Sequence, residues 1–209
     1  MRNKKKFIAI AGNIGSGKSS LTTSLATDFK WKPYFESVED NPYLSDFYGD
    51  MQKWSFHLQI YFLSKRFQSH KNIIESKESV IQDRTIYEDA EIFAKNLFDS
   101  GKMLKREYDN YVSLFNTMVP YLRPPNLLIY LRANVKTLVK QISLRGRDYE
   151  KTIPEKYLKE LNKLYENWVK SYKHGDLLVI ESDKLDFVNN KKDFLKIKSL
   201  VAKKLNIKI

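Results

Sequence analysis

Five short apolar runs rich in β-branched residues punctuate the chain: Phe7–Ala11, Pro33–Phe35, Val80–Gln82, Leu127–Leu131 and Leu177–Ile180. Each is strand-sized, and long stretches with helical spacing separate them. Strands alternating with helices predict an α/β protein, a five-stranded parallel sheet flanked by helices on both faces. Right-handed crossovers then bring the carboxyl ends of the strands, and the loops leaving them, to one edge where ligands bind.

The helices are read from apolar positions three and four residues apart. The first runs over Lys18–Phe29 with Leu21 and Leu25 on one face. A longer one covers Met51–Ser76, where Trp54, Leu58, Tyr61, Phe62 and Ile73 form a stripe suited to core or dimer packing. Another follows Asp83-Arg84-Thr85 and carries Tyr87, Ala90, Phe93, Ala94 and Leu97. Lys105–Tyr121 is helical until Pro124-Pro125 forbids continuation. Asn134 caps the next helix, which ends in Leu144-Arg-Gly-Arg147; Pro154 opens one to Tyr172, and Val188–Leu205 is the last.

With 209 residues and no Gly/Ser-rich or Pro-rich linker, the chain reads as one domain. There is no cysteine, which excludes disulfides, zinc-thiolate sites and cysteine nucleophiles and suits a cytoplasmic setting. No apolar run approaches the roughly 20 residues of a membrane span. The basic start, Met1-Arg-Asn-Lys-Lys-Lys6, is not read as a signal peptide, because the run after it serves another purpose. The net charge of +12 would suit a nucleic-acid partner, but only 8 of the 37 basic residues are Arg and the lysines are scattered along helix faces. Solvated lysine faces are the expectation, without nucleic acid or membrane as partner.

Chemistry enters with Gly12-Asn13-Ile14-Gly15-Ser16-Gly17-Lys18-Ser19, which fills every fixed position of the phosphate-loop pattern directly after the first strand. The glycines let successive N–H groups converge on phosphate oxygens, and the helix starting near Gly17 adds its positive dipole end. Lys18 reaches the β- and γ-phosphates, and the Ser19 hydroxyl can ligate an accompanying Mg2+. The expected class is therefore a P-loop NTPase fold that binds ATP with Mg2+. Such a site does not by itself name a reaction.

Two further strand ends supply candidates. Glu36, in Phe35-Glu36-Ser37, places a carboxylate towards the γ-phosphate, and Asp83-Arg84 places an acid and a guanidinium at the equivalent edge. Phosphoryl transfer needs a metal, an in-line nucleophile and cations on the equatorial oxygens. On this reading Glu36 accepts a hydroxyl proton, Asp83 helps hold the metal and Arg84 steadies acceptor and phosphate. Arg145 and Arg147 flank Gly146 near a helix end and suit a small Arg-rich lid around residues 141–153. Taken one at a time these groups have plainer readings, as turn caps, a local ion pair or a solvated basic turn.

The ordered set of the phosphate loop, Trp54-Ser-Phe-His-Leu-Gln59, Asp83-Arg-Thr-Ile-Tyr-Glu-Asp89, Ile92-Phe-Ala94, Leu144-Arg-Gly-Arg147 and Leu185-Asp-Phe187 resembles the deoxyribonucleoside kinase family, specifically its bacterial deoxyadenosine/deoxyguanosine kinase branch. The resemblance covers nearly the whole chain. It implies transfer of a phosphoryl group from ATP to the 5′-hydroxyl of a deoxyribonucleoside, first of all deoxyadenosine, in nucleotide salvage by a homodimer. Glu36 would be the general base, Arg84 would hold base and hydroxyl, and Tyr48 with Glu150 would bind the 3′-hydroxyl. Gln59 would read the nucleobase edge, Phe93 would stack on the ring, and Arg66 with Asp89 would favour an amino-bearing base over thymine. Lys18 and the loop through Ser20, with Arg145 and Arg147, would hold the phosphates, and Asp186 and Phe187 would lie near the donor base. Two positions depart from the pattern: Gln141 stands where many relatives have a further arginine, and Asn41 where animal enzymes have tryptophan. A nucleoside monophosphate kinase and a nucleotide-dependent nucleic-acid-binding or regulatory protein are the rival readings.

Overall fold

The computed structural model describes residues 5–36 and 41–207. Strand β1 (Phe7–Gly12) leads through the phosphate loop into α1 (Lys18–Phe29), then β2 (Lys32–Tyr34), α2 (Leu44–Gly49), α3 (Met51–Glu75) and β3 (Val80–Asp83). Helix α4 (Ile86–Glu88) continues through a π-helical segment, Asp89–Ala94, into α5 (Lys95–Asp99). Helix α6 (Lys105–Met118), β4 (Leu127–Arg132), α7 (Val135–Arg145), α8 (Glu155–Lys170), β5 (Asp176–Glu181) and α9 (Lys191–Leu205) follow.

All strand pairs are parallel, in the order β2-β3-β1-β4-β5. Because side chains alternate along a strand, the apolar run of β1 serves both faces at once. Ile8 and Ile10 pack with Leu21 and Leu25 of α1 and with Ile197 and Val201 of α9. Phe7, Ala9 and Ala11 face the opposite way, into the layer built on α3, α4 to α6 and α8. The small alanines leave room on that face for larger residues, among them Tyr111, Tyr130 and Tyr165. Leu25 is wholly buried, so truncation to Ala removes about 2–5 kcal/mol.

The expected sheet and its flanking helices are present, and the differences lie at element ends. The second strand is Lys32–Tyr34, so Phe35 stands beyond it and is 48% exposed. The helix after α5 stops at Met118 and tightens into a 3-10 turn, Val119–Tyr121, where Pro120 has no N–H to give. The last helix begins at Lys191, because the Asn190 side chain accepts from Lys192 N and caps it there. Helix α2 was not expected; it is too short for an apolar periodicity to register.

The topology positions the site. From β1 the chain crosses to β2, while from β3 it crosses to β4 on the other side. The carboxyl ends of β1 and β3 are neighbours, with Ile10 paired to Asp83, so a crevice opens between the phosphate loop and Asp83-Arg84.

Candidate active site

The loop from Gly12 to Gly17 takes its shape from glycine and from helix packing. Gly15 has φ 81°, and a Cβ there would meet the Leu138 carbonyl at 2.8 Å, so α7 packs directly on the loop. Gly17 has φ 88°, and a Cβ would meet the Phe187 ring at 2.9 Å. The Asn13 side chain does not point to the crevice; its Nδ2 donates to the Leu158 carbonyl and to Asn162 Oδ1 on α8. Ser16 is buried with an unpartnered hydroxyl, and Ser20 is exposed. Lys18 Nζ donates to the Asn13 carbonyl. Burial, with Arg84 nearby, lowers the Lys18 pKa to about 8 against the opposing pull of Asp83, Glu36 and Glu88.

A cavity of about 270 Å3 is lined by Lys18, Ser19, Glu36, Arg84, Gln59 and Asp89. Its walls are apolar and aromatic, with Leu58, Phe62, Phe93, Tyr48, Tyr149 and Tyr157 among them. At the loop end Ser19 Oγ donates to Asp83 Oδ2 at 2.5 Å, while Asp83 Oδ1 is buried with no hydrogen-bond partner. A hydroxyl beside a carboxylate oxygen with spare valence fits a hard cation that keeps phosphate oxygens as its other ligands.

The middle of the cavity is a charge cluster. Arg66 donates from Nε and Nη2 to the two oxygens of Asp89 at 2.8 and 3.1 Å, and from Nη2 to Glu36 Oε1 at 2.8 Å. Arg84 Nε lies 3.3 Å from the same Glu36 oxygen, an ion pair without hydrogen-bond alignment. Burial would raise the Glu36 pKa, but Arg84, Arg66 and Lys18 together pull it down to about 2. Asp89 goes the other way: burial raises it against the pull of Arg66.

Arg84 has φ 64°. Among the described residues the other non-glycines with positive φ, Lys30 and Asn206, end helices, whereas Arg84 follows a strand, and a backbone of this kind costs about 1–3 kcal/mol. Its guanidinium lies over the Phe93 ring, 4.3 Å from the centroid. Phe93 and Asp89 belong to the π-helical segment, whose wide turn carries both into the cavity while Ala90, Ile92 and Ala94 are buried.

Gln59 also lines the cavity; it is buried and its Oε1 has no partner. Tyr48 stacks on Tyr149, with centroids 6.0 Å apart. Glu150 lines the same wall, but its carboxylate is already paired: Arg145 donates to both oxygens at 2.9 and 2.6 Å, and Arg147 Nη1 lies 3.5 Å away. The structure thus brings Glu36, Tyr48, Gln59, Asp83, Arg84, Asp89, Phe93, Arg145, Arg147 and Glu150 to one cavity. Arg66, Asp186 and Phe187 do not line it, Arg66 lying behind Asp89 and Glu36 as their partner. Phe187 packs behind Gly17, and Asp186 is exposed and accepts from Asn189. Gln141 is exposed, and Ser37 lies outside the described residues.

Comparison with known proteins identifies the family. A deoxynucleoside kinase family model matches residues 8–206. The chain belongs to the deoxynucleoside kinase family. It is 41% identical over 201 residues to the deoxyadenosine/deoxycytidine kinase of Bacillus subtilis, covering 95% of this chain and 93% of that protein. It is 40% identical to a deoxyguanosine kinase of Lactobacillus acidophilus over 89% of this chain and 85% of that one. The structure of deoxyadenosine kinase from M. mycoides with bound dATP superposes with a TM-score of 0.84 at 32% identity, covering 94% of this chain and 98% of that chain. Membership of the deoxynucleoside kinase family makes the chain an ATP-dependent phosphotransferase and sets aside the monophosphate-kinase and nucleic-acid readings.

Two residues of this kinase escaped the sequence reading. Glu88 is fully buried and accepts from Thr85 N, Thr85 Oγ1, Gly12 N and the Tyr165 hydroxyl. Tyr165 in turn accepts from Arg84 Nη1 at 2.9 Å. The Thr85-x-x-Glu88 spacing is a capping box and was legible as one. Nothing local marks Tyr165, which resembles any other aromatic on an amphipathic helix.

Proposed function

We propose that the chain transfers the γ-phosphoryl group of ATP to the 5′-hydroxyl of deoxyadenosine, with deoxyguanosine and deoxycytidine as further acceptors, in deoxynucleotide salvage. The observation that carries this reading is that Gln59, with Oε1 buried and unpartnered, and an Asp89 carboxylate oriented by Arg66 line the same cavity as Lys18. An amide that donates and accepts at once matches the amino and ring-nitrogen edge of adenine, and thymine leaves such groups unpaired. The kinship with deoxyadenosine/deoxycytidine kinase and deoxyadenosine kinase supports the same choice.

In the mechanism, Glu36 is ionised at neutral pH, since its pKa stands at about 2, and accepts a hydrogen bond from the 5′-hydroxyl. So acidic a group is a weak base towards a resting alcohol. It takes the proton only as the new O–P bond forms and the hydroxyl becomes acidic, while the bond from the γ-phosphorus to the β–γ bridging oxygen breaks and ADP leaves. Lys18 and the loop N–H groups stabilise the developing charge, and Arg84 holds Glu36 and the acceptor in line. Ser19 and Asp83 would hold Mg2+, which neutralises phosphate charge. Arg145 and Arg147 close as a lid around residues 141–153, exchanging Glu150 for phosphate when Glu150 and Tyr48 take the 3′-hydroxyl. Asp186 and Phe187 border the donor base behind Gly17. We also read a cytoplasmic homodimer, supported by the apolar side chains that α6 and the turn after it expose, Leu114, Val119 and Tyr121. Among the described residues no helix is long and apolar enough to cross a membrane.

One panel tests the proposal: purified protein, ATP and Mg2+ with each of the four deoxynucleosides, dAMP and dTMP. Deoxyadenosine should be phosphorylated and thymidine should be poor. Phosphorylation of the monophosphates but not of deoxyadenosine would overturn it.

A further inference from the structure

Helix α8 touches both halves of the reaction from one face. Asn162 holds Asn13 of the phosphate loop and donates to the Ala133 carbonyl beyond β4. Three residues on, Tyr165 points at the acceptor side. Its hydroxyl sits between two buried charges, accepting from Arg84 Nη1 at 2.9 Å and donating to Glu88 Oε1 at 2.8 Å. The same Glu88 oxygen accepts from Gly12 N at 3.3 Å and lies 3.9 Å from Arg84 Nη1. One fully buried carboxylate therefore joins the first glycine of the donor loop to the arginine that faces the acceptor.

From this geometry we infer that Tyr165 and Glu88 are positioning residues for phosphoryl transfer, fixing the Arg84 guanidinium relative to both Glu36 and the phosphate loop. Arg84 carries a positive φ, so its backbone does not choose its side-chain direction by an ordinary helical or strand rotamer. The direction is set by its partners. Glu36 lies at 3.3 Å on Nε, the Phe93 ring lies under the plane, and Tyr165 fixes Nη1. Without the Tyr165 hydroxyl the guanidinium is free to close the 3.9 Å gap to Glu88, which moves it away from Glu36. Neither Tyr165 nor Glu88 lines the cavity, so their effect on the reaction passes through Arg84. A packing role alone would need the Tyr165 ring, which lies against Tyr130, Phe93 and Trp168, but not its hydroxyl.

The inference rests on Arg84 acting on the acceptor, and a double-mutant cycle separates the two claims. Tyr165→Phe keeps the ring and deletes the hydroxyl. It should lower kcat by about tenfold, equivalent to about 1.4 kcal/mol, with KM for deoxyadenosine and ATP changed by less than about twofold. Arg84→Lys should be slow, and adding Tyr165→Phe to it should slow it no more than about twofold, because the hydroxyl then has no guanidinium to hold. Glu88→Gln, which keeps the shape and removes the charge, is the second route and should show the same split between kcat and KM. Multiplicative losses in the double variant, or an unchanged kcat in Tyr165→Phe with Arg84→Lys slow, would overturn the positioning role alone. An active Arg84→Lys with unchanged kcat would instead remove Arg84 from the proposed mechanism.

Discussion

Arg66 grips both oxygens of Asp89 and, through the same Nη2, reaches Glu36 at 2.8 Å. One buried guanidinium thus ties the group proposed to read the base to the group proposed to receive the hydroxyl proton. Burial disfavours its charge, yet Asp89 and Glu36 outweigh that and hold Arg66 above its ordinary pKa. Binding of the base and orientation of the sugar share a partner.

Removing that partner alone should be worse than removing it with its carboxylate. Arg66→Met leaves Asp89 buried and unpaired and should cost about 3–5 kcal/mol in urea unfolding, whereas Arg66→Met with Asp89→Ala should cost less. The double variant should also phosphorylate thymidine better than the parent. Equal stability losses would show that the pairing is not what makes Arg66 necessary, and continued rejection of thymidine would refute the base-reading role.

Glu36→Gln should lower turnover by about 100- to 10,000-fold while deoxyadenosine still binds, since an amide still accepts a hydrogen bond but cannot take the proton. Steady-state rates and equilibrium dialysis with deoxyadenosine measure the two separately. Unchanged turnover would exclude Glu36 as the base.

Lys18 gives a prediction in pH. Its pKa is depressed to about 8 in the free protein, from 10.5, so it is largely neutral above pH 8. Triphosphate binding favours the ammonium, so ATP should bring a proton with it at pH 8.5. Calorimetric titrations in two buffers of different ionisation enthalpy should show net proton uptake at that pH and little at pH 6.5. Equal heats after buffer correction at both pH values would contradict the depressed amine.

His70, which does not line the cavity, controls stability on the acid side. It is buried, and Nε2 accepts from Arg123 N at 2.9 Å; burial is the larger cause that lowers its pKa to about 4. Because the folded state binds the proton less well than the unfolded one, stability is full above about pH 6.5 and falls as the pH drops from there towards 4. The loss reaches about 3 kcal/mol over that window. Urea unfolding at pH 7 and pH 5 should show it, and His70→Gln, an acceptor that does not titrate, should flatten the slope.

Much of this was readable before any fold was drawn. Helix α1 falls on Lys18–Phe29 as its apolar spacing predicts, and the phosphate loop declares itself because its chemistry needs contiguous residues. The ends of β2 and α9 were misplaced by one to three residues, since Asn190 caps a helix only where the chain lets its side chain reach Lys192 N. Helix α2 and the π-helical turn were invisible. The first is too short to show a period, and the second differs from an α-helix by hydrogen bonds that leave no distinct residue pattern.

The site divides in the same way. The residue types that carry charge and their strand-end positions were set by the sequence, because a phosphate loop, a carboxylate after β2 and an Asp-Arg pair at the end of β3 are local facts. Their partners were decided only in three dimensions. Glu36 pairs with Arg66, Asn13 is tied to α8, and Tyr165 bonds to Arg84 from 81 residues away. Contacts of that range depend on which helix faces meet across the sheet, and a linear pattern specifies that a face is buried without specifying what it is buried against.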